Sequence, residues 1–331
     1  MNSPSWPLRL AKYRQQDNFR GLREIIVTVA CFVALWTATW LLALLSYWLA
    51  LLVAVPTAGF LVRLFMIQHD CGHGTLFTRR GINDWVGRFL GILTLTPYDY
   101  WRNSHAYHHA SSGNLGRRGI GDIKLLTVRE YAALGPWERL GYRLYRHPIV
   151  MFGLGPIYLF VFQHRLPIGA LRGDRAAWIS TLATNLAIAA LLVLMATVLG
   201  WGPLLRIHLP ITVMAASMGV WLFYVQHQFE ETFWASPPDW SPESAALQGS
   251  SYYDLPAPLR WLTANIGLHH LHHLSSKIPF YRLQTVLEEW PELAYVPRLT
   301  VWESFKCVKL ALWDERSRRL VSFRQARLLV F

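Results

Sequence analysis

Nine of the 13 histidines fall in three short groups: His69 and His73 in HDCGH, His105, His108 and His109 in HAYHH, and His269, His270, His272 and His273 in HHLHH. A tenth, His227, lies in Gln226-His227-Gln228. The spacings are i,i+4 in the first group and i,i+3,i+4 in the others, so each group gathers side chains on one side of a helix. A helix running back from HHLHH to Asn265 would put Asn265, His269, His272 and His273 on one face and turn His270 away. A packed helix has no structural use for so many imidazoles, because each buried ring needs partners for two nitrogens. A metal ion is such a partner for neutral imidazole. Converging groups would offer eight ligands, or nine with His227. One ion takes roughly four to six, so the set is sized for two. Nitrogen-rich, carboxylate-poor ligation suits iron or copper in oxygen chemistry, whereas magnesium and calcium prefer oxygen ligands. Structural zinc would need only four ligands and would bring in cysteine. The three cysteines, Cys31, Cys71 and Cys307, are isolated, so no zinc ribbon or disulfide framework is expected. His147, His164 and His208 stand alone and are expected as side chains near span ends.

The elements that must bring these groups together are membrane helices. The chain has 331 residues, 53% of them hydrophobic, yet a formal net charge of +12. Long apolar spans with basic flanks reconcile the two. Residues 1–24 are polar and basic and do not resemble a cleavable signal. Residues 25–47 and 48–67 read as a first transmembrane hairpin, and 176–200 with 208–226 as a second. Residues 68–175 and 227–331 then supply a cap, the latter ending in a basic tail. Trp85–Pro97 is too short to span and reads as an interfacial or re-entrant helix. Pro148–Phe162 carries Gly153, Gly155 and Pro156 and is expected not to cross. If it did cross, HHLHH would face the opposite side from the other groups. The expected fold is an all-α membrane protein of one domain: four transmembrane helices in two hairpins, interfacial helices and a helical cytosolic cap. The basic flanks place that cap on the cytoplasmic side, in contact with membrane lipids. No nucleic-acid-binding motif accompanies the basic residues.

HDCGH, then HAYHH some thirty residues on, then HHLHH near the C-terminus resembles the integral-membrane fatty acid desaturases with three histidine boxes. Within them the chain is most similar to the bacterial acyl-lipid and omega-6-type branch. Supporting stretches are Pro97 to Arg102, Gly121-Asp122-Ile123, Phe223 to Glu230, Gly249 to Tyr253 and Asn265 to Pro279, and the likeness spans roughly residues 50–285. The resemblance implies a non-haem di-iron site held by His69, His73, His105, His108, His109, His269, His272 and His273, with His227 matching a ligand after the last span. The third box of the family reads H-x-x-H-H and leaves His270 out. Asn265 matches a position that contacts iron through water. The implied reaction is O2-dependent: two hydrogens leave adjacent carbons of a fatty acyl chain. Such methylenes offer no polar handle, so selection requires a narrow apolar tunnel. Ligating imidazoles usually donate their other N–H to a carboxylate or carbonyl. Asp70, Asp122, Glu230 and Glu231 are the candidates.

Hydroxylases, acetylenases and carotenoid ketolases share the three boxes and form the alternative within the class. HDCGH also looks like a variant H-E-x-x-H zinc-protease motif with Asp70 in place of glutamate, but that leaves the other groups unexplained. A metal transporter would carry its ionisable residues inside the spans, which here are nearly free of them. No haem-binding domain is expected within the chain. Electrons then come from a separate carrier such as an acidic ferredoxin, which the basic face suits. Anionic lipid headgroups are a second use for the same charge.

Overall fold

The computed structural model describes residues 5–119, 121–167 and 172–330. Among the described residues, four helices are long and apolar enough to cross a membrane: α1 (Asn18–Ala43), α2 (Tyr47–His73), α5 (Arg175–Leu199) and α6 (Trp201–His227). Between them lie α3 (Arg80–Leu93) and α4 (Tyr98–Ser111), and after them α7 (Pro242–Gly249) and α8 (His269–Leu274). The protein is an integral membrane protein built from two helical hairpins. α2 is the mostly buried member, packed on both α1 and α6, while α1 and α5 leave most of their surface to lipid.

α1 begins at Asn18, earlier than the apolar run alone suggests, because Asp17 caps it by accepting the Arg20 N–H at 3.0 Å. α2 does not stop near residue 67. It continues as one helix through His69 to His73 and ends where Gly74 takes a left-handed conformation at φ 69°. The first histidine group therefore rides on a spanning helix and not in the chain beyond it. α6 likewise carries His227 on its last turn.

The spans are less free of charge than the hydropathy pattern implies. Glu24 of α1 and Arg63 of α2 are both buried and form an ion pair at 2.5 Å. Arg63 also donates to Thr28 Oγ1 at 3.1 Å and to the Trp261 carbonyl, and lies 4.1 Å from the Trp261 ring centroid. A charge at that depth needs such partners. This one ties both helices of the first hairpin to the segment that leads into α8.

Pro136–Tyr145 and Val150–Arg165 form a helix pair bent by 59°. His147 precedes Pro148, and the proline disfavours helical geometry there. α2 and α6 both end at the same cluster of histidines, and α5–α6 is a hairpin, so the chain between His73 and Arg175 starts and finishes on one side. The bent pair cannot then be a single crossing. α3 is amphipathic, with exposed Ile82, Trp85 and Phe89, as an interfacial helix requires.

The cap is not wholly helical. Strands β1 (Leu126–Thr127), β4 (Leu310–Asp314) and β5 (Arg319–Ser322) form a small sheet, β1 parallel and β5 antiparallel to β4. β2 (Tyr252–Asp254) pairs with β3 (Arg298–Thr300). The first sheet has its own core of Val128, Tyr131, Tyr142, Ala311, Leu312 and Val321, apart from the main core.

Candidate metal centre

The ring nitrogens of nine histidines converge, and they do so as two sets. His69, His73, His105, His109 and His272 form one, and His108, His227, His269 and His273 the other, with the ligand atoms of each set within 4.8 Å of one another. Neither set corresponds to a sequence motif. HAYHH is divided, with His105 and His109 in the first set and His108 in the second. HHLHH is divided the opposite way, with His272 in the first set and His269 and His273 in the second. Successive helical residues point about 100° apart, so the neighbours His108 and His109 must face different ways. The His109 and His273 rings stack at 4.2 Å across the two sets.

Hydrogen bonding alone cannot satisfy these nitrogens. His105 Nε2 lies 2.9 Å from His69 Nε2, 3.1 Å from His73 Nε2 and 3.0 Å from His109 Nε2. One ring nitrogen carries either a single proton or a single lone pair, so it can properly serve only one of these three neighbours. In the second set His269 Nε2 is 2.9 Å from His227 Nε2 and 3.1 Å from His273 Nε2, and His108 Nε2 is buried without a hydrogen-bond partner among the described residues. A cation amid each set removes the conflict. Nitrogens that shared a metal at about 2.1 Å would stand close together, as the 2.9–3.1 Å pairs do. Burial, reinforced by the surrounding imidazoles, pushes the pKa of His105, His109, His269, His272 and His273 well below the ordinary histidine value. Neutral imidazole is the ligand form.

Two tautomers are fixed by chemistry. Asp122 Oδ1 lies 2.5 Å from His108 Nδ1, and an ionised carboxylate can only accept, so Nδ1 carries the proton and the Nε2 lone pair faces the set. His227 Nδ1–H donates in the same way to the Gly249 carbonyl at 3.1 Å. Gly121 makes the first of these contacts feasible. It has φ +72°, and a Cβ there would stand 2.9 Å from the Ser104 carbonyl oxygen and 3.1 Å from His108 Cβ. On the other side Trp101 stacks on His105 at 4.7 Å, one turn earlier on α4. A Cβ on Gly72 of HDCGH would stand 2.8 Å from the Trp101 ring, so α2 and α4 approach this closely only because residue 72 is glycine.

Several expected placements are corrected. Asn265 is not on the helix of the third group, which starts at His269. Ala264 and Asn265 both have left-handed backbone, with φ 51° and 56°, and the Asn265 amide donates to the Phe280 carbonyl at 3.0 Å. Glu230 is exposed and lies 3.6 Å from Arg319, and Glu231 is exposed too, so neither backs a histidine. Asp70 accepts from the Phe280 N–H at 2.8 Å and stands 3.6 Å from His69 Nδ1, bracing the turn after α8 more than the ring. His270 is buried outside both sets. It faces the Ser251 and Leu293 backbone without a full hydrogen bond at either nitrogen, and burial lowers its pKa to about 4. His147, His164 and His208 belong to neither set. Trp101, Gly72 and the Gly249 carbonyl were not among the candidate site residues, although all three lie in stretches that carry the resemblance. Trp101 left the further signal of its position four residues before His105.

Nine imidazoles, five buried and four half-buried, gathered at one end of four spanning helices define a histidine-rich membrane metalloprotein. The chain belongs to the fatty acid desaturase family, whose profile matches residues 46–305. It is 44% identical over 317 residues to a fatty acid desaturase of Bacillus subtilis, covering 96% of this chain and 89% of that protein. It is 30% identical over 240 residues to the sn-1 acyl-lipid omega-3 desaturase (ferredoxin) of Synechocystis sp., covering 68% and 62%. With the sn-1 oleoyl-lipid 12-desaturase of the same organism it shares 28% over 245 residues, covering 72% and 68%. It is a membrane oxidoreductase that desaturates fatty acyl chains.

Proposed function

We propose that the two histidine sets hold a pair of irons and that O2 is the co-substrate. His69, His73, His105, His109 and His272 hold one ion, and His108, His227, His269 and His273 the other. The observation that carries this reading is the convergence of Nε2 atoms that no hydrogen-bond pattern can satisfy. Each turnover takes –CH2–CH2–, O2, two electrons and two protons to –CH=CH– and two waters. The iron pair would supply the O2 activation and the hydrogen abstraction that no side chain can. The protein's own part is to keep the imidazoles neutral, fix His108 and His227 in one tautomer through Asp122 and Gly249, and exclude water by burying the ligands. Acyl-lipid names among the relatives favour chains esterified in membrane lipid, and the ferredoxin in one of those names supports an acidic iron–sulfur carrier as donor. The centre is assigned to the cytoplasmic side from the basic flanks of the hairpins, and the membrane to a bacterial inner membrane from the bacterial relatives.

Expression in a host that lacks the product, with a competent electron donor and verified iron loading, gives new double bonds in fatty acid methyl esters by mass spectrometry. Hydroxylated or unchanged chains under those conditions would contradict the reading.

A further inference from the structure

The positive charge is concentrated in one lobe. Residues 113–147 hold seven lysines and arginines against three acids, and residues 306–331 hold seven against two. These 61 residues thus carry +9 of the chain's formal +12. The other 270 residues, with 18 cations and 15 acids, carry +3. The two stretches are far apart in sequence, and the parallel pairing of β1 with β4 joins them. The lobe contributes one histidine set member's partner, Asp122, and its concentration of charge has no use in holding metal.

Three features tie the lobe to the metal centre. Arg146 is buried, and among the described residues no carboxylate pairs with it. It donates to Gln228 Oε1 at 2.9 Å, Tyr224 Oη at 3.2 Å and the Leu310 carbonyl at 2.8 Å, which fixes the lobe to the last turn of α6 beside His227. An open pocket of about 470 Å³ lies against this junction, lined by Leu115, Arg118, Asp122, Lys124 and Tyr145 among others. Its lining includes Asp122, whose Oδ2 has no hydrogen-bond partner among the described residues and whose Oδ1 holds His108. From that pocket to the four-histidine set the route is one carboxylate and one 2.5 Å hydrogen bond. Tyr145, which lines the pocket, lies off the exposed apolar face of its helix. Exposed Trp137, Leu140 and Leu144 share one face of Pro136–Tyr145, while Tyr142 and Tyr145 turn to another.

We propose that this basic lobe, centred on the Asp122 pocket that Lys124 lines, with exposed Arg117 next to the lining residues Gly116 and Arg118 in the chain, is the docking surface for a small acidic one-electron carrier protein. The carrier delivers the two electrons of each turnover singly, through Asp122 and His108, into the four-histidine set. This rests on the desaturase reading with an external donor. A concave basic surface with a short bonded route to one metal set fits an acidic protein edge, and charge of this kind sets encounter rate and register.

The test uses the full-length enzyme in detergent, with an acidic [2Fe–2S] ferredoxin as probe. The dissociation constant is measured across a salt series for wild type, for Arg117→Glu/Lys124→Glu, and for a control reversal elsewhere on the same side, Arg79→Glu/Arg172→Glu. The expected result is salt-sensitive binding to wild type and control, weakened about tenfold or more by the lobe reversal with a shallower salt dependence. Equal affinity in all three proteins overturns the proposal. So does a lobe reversal that leaves affinity intact and only strips anionic phospholipid from the purified protein, because the lobe then serves the membrane. A second arm separates docking from chemistry. Enzyme reduced chemically without oxygen, then exposed to O2, forms the double bond equally in wild type and lobe variant if only docking is impaired. Failure of wild type in that arm counts against the iron and O2 reading and leaves the affinity result to decide the docking surface.

Discussion

The two histidine sets differ in how they are built. The five-membered set joins two i,i+4 pairs on long helices, His69 with His73 on α2 and His105 with His109 on α4, and adds His272. Its rings are held mainly by the rigidity of those helices and by the Trp101 stack. The four-membered set has one such pair, His269 with His273, on the six-residue α8, and draws single rings from α4 and α6. It makes up for the weaker scaffold with fixed outer contacts, Asp122 to His108 and Gly249 to His227. Three of its four members are fully buried, against two of five in the other set. A site on long helices can rely on backbone geometry, whereas a site assembled from scattered rings needs each ring pinned from behind.

Removal of one ligand should therefore separate the sets most clearly. His108→Ala leaves its set three ligands and is expected to lower bound metal from about two ions per chain to about one, with desaturation abolished. His73→Ala leaves four ligands in place and should retain more metal, by elemental analysis of the purified proteins. Equal metal loss in both variants would erase the distinction. The next effect concerns the outer contacts. Asp122→Asn should weaken metal binding by about 10–100-fold, read by chelator competition. Asp70→Asn should change metal affinity less and lower thermal stability instead, since its main partner is the Phe280 N–H. A smaller effect is expected of Gly72→Ala, which pushes α4 away through the Trp101 ring. It should perturb the spectroscopic signature of the five-membered set and leave that of the other unchanged. The smallest is His270→Ala, which should keep more activity than His272→Ala because it belongs to neither set.

The spans, the three motifs and the exclusion of His270 were legible because they depend on local periodicity and composition. The division of the motifs was not legible, because the spacing reading gathers each group on one side of its helix and the structure splits two of the three. The i,i+4 pairs His105/His109 and His269/His273 each stay together, and the i,i+3 members His108 and His272 cross to the other set. That crossing requires knowing how α4 and α8 face each other, which no single motif encodes. The helical reading of Asn265 failed because two consecutive left-handed residues, Ala264 and Asn265, interrupt the chain just before HHLHH. Left-handed backbone at an alanine has no signature in the sequence. Glu230 failed for a different reason. Three residues beyond His227 the chain has left the α6 helix, so sequence proximity no longer means spatial proximity. Neither the Arg63–Glu24 pair nor the gathering of charge in one lobe can be seen without the packing of α1 on α2 and of β1 on β4.

Metal stoichiometry and identity in the purified, full-length protein test the two-set site most directly. Two irons per chain, falling to one with His108→Ala, are the expected result. A single zinc and no iron would contradict it.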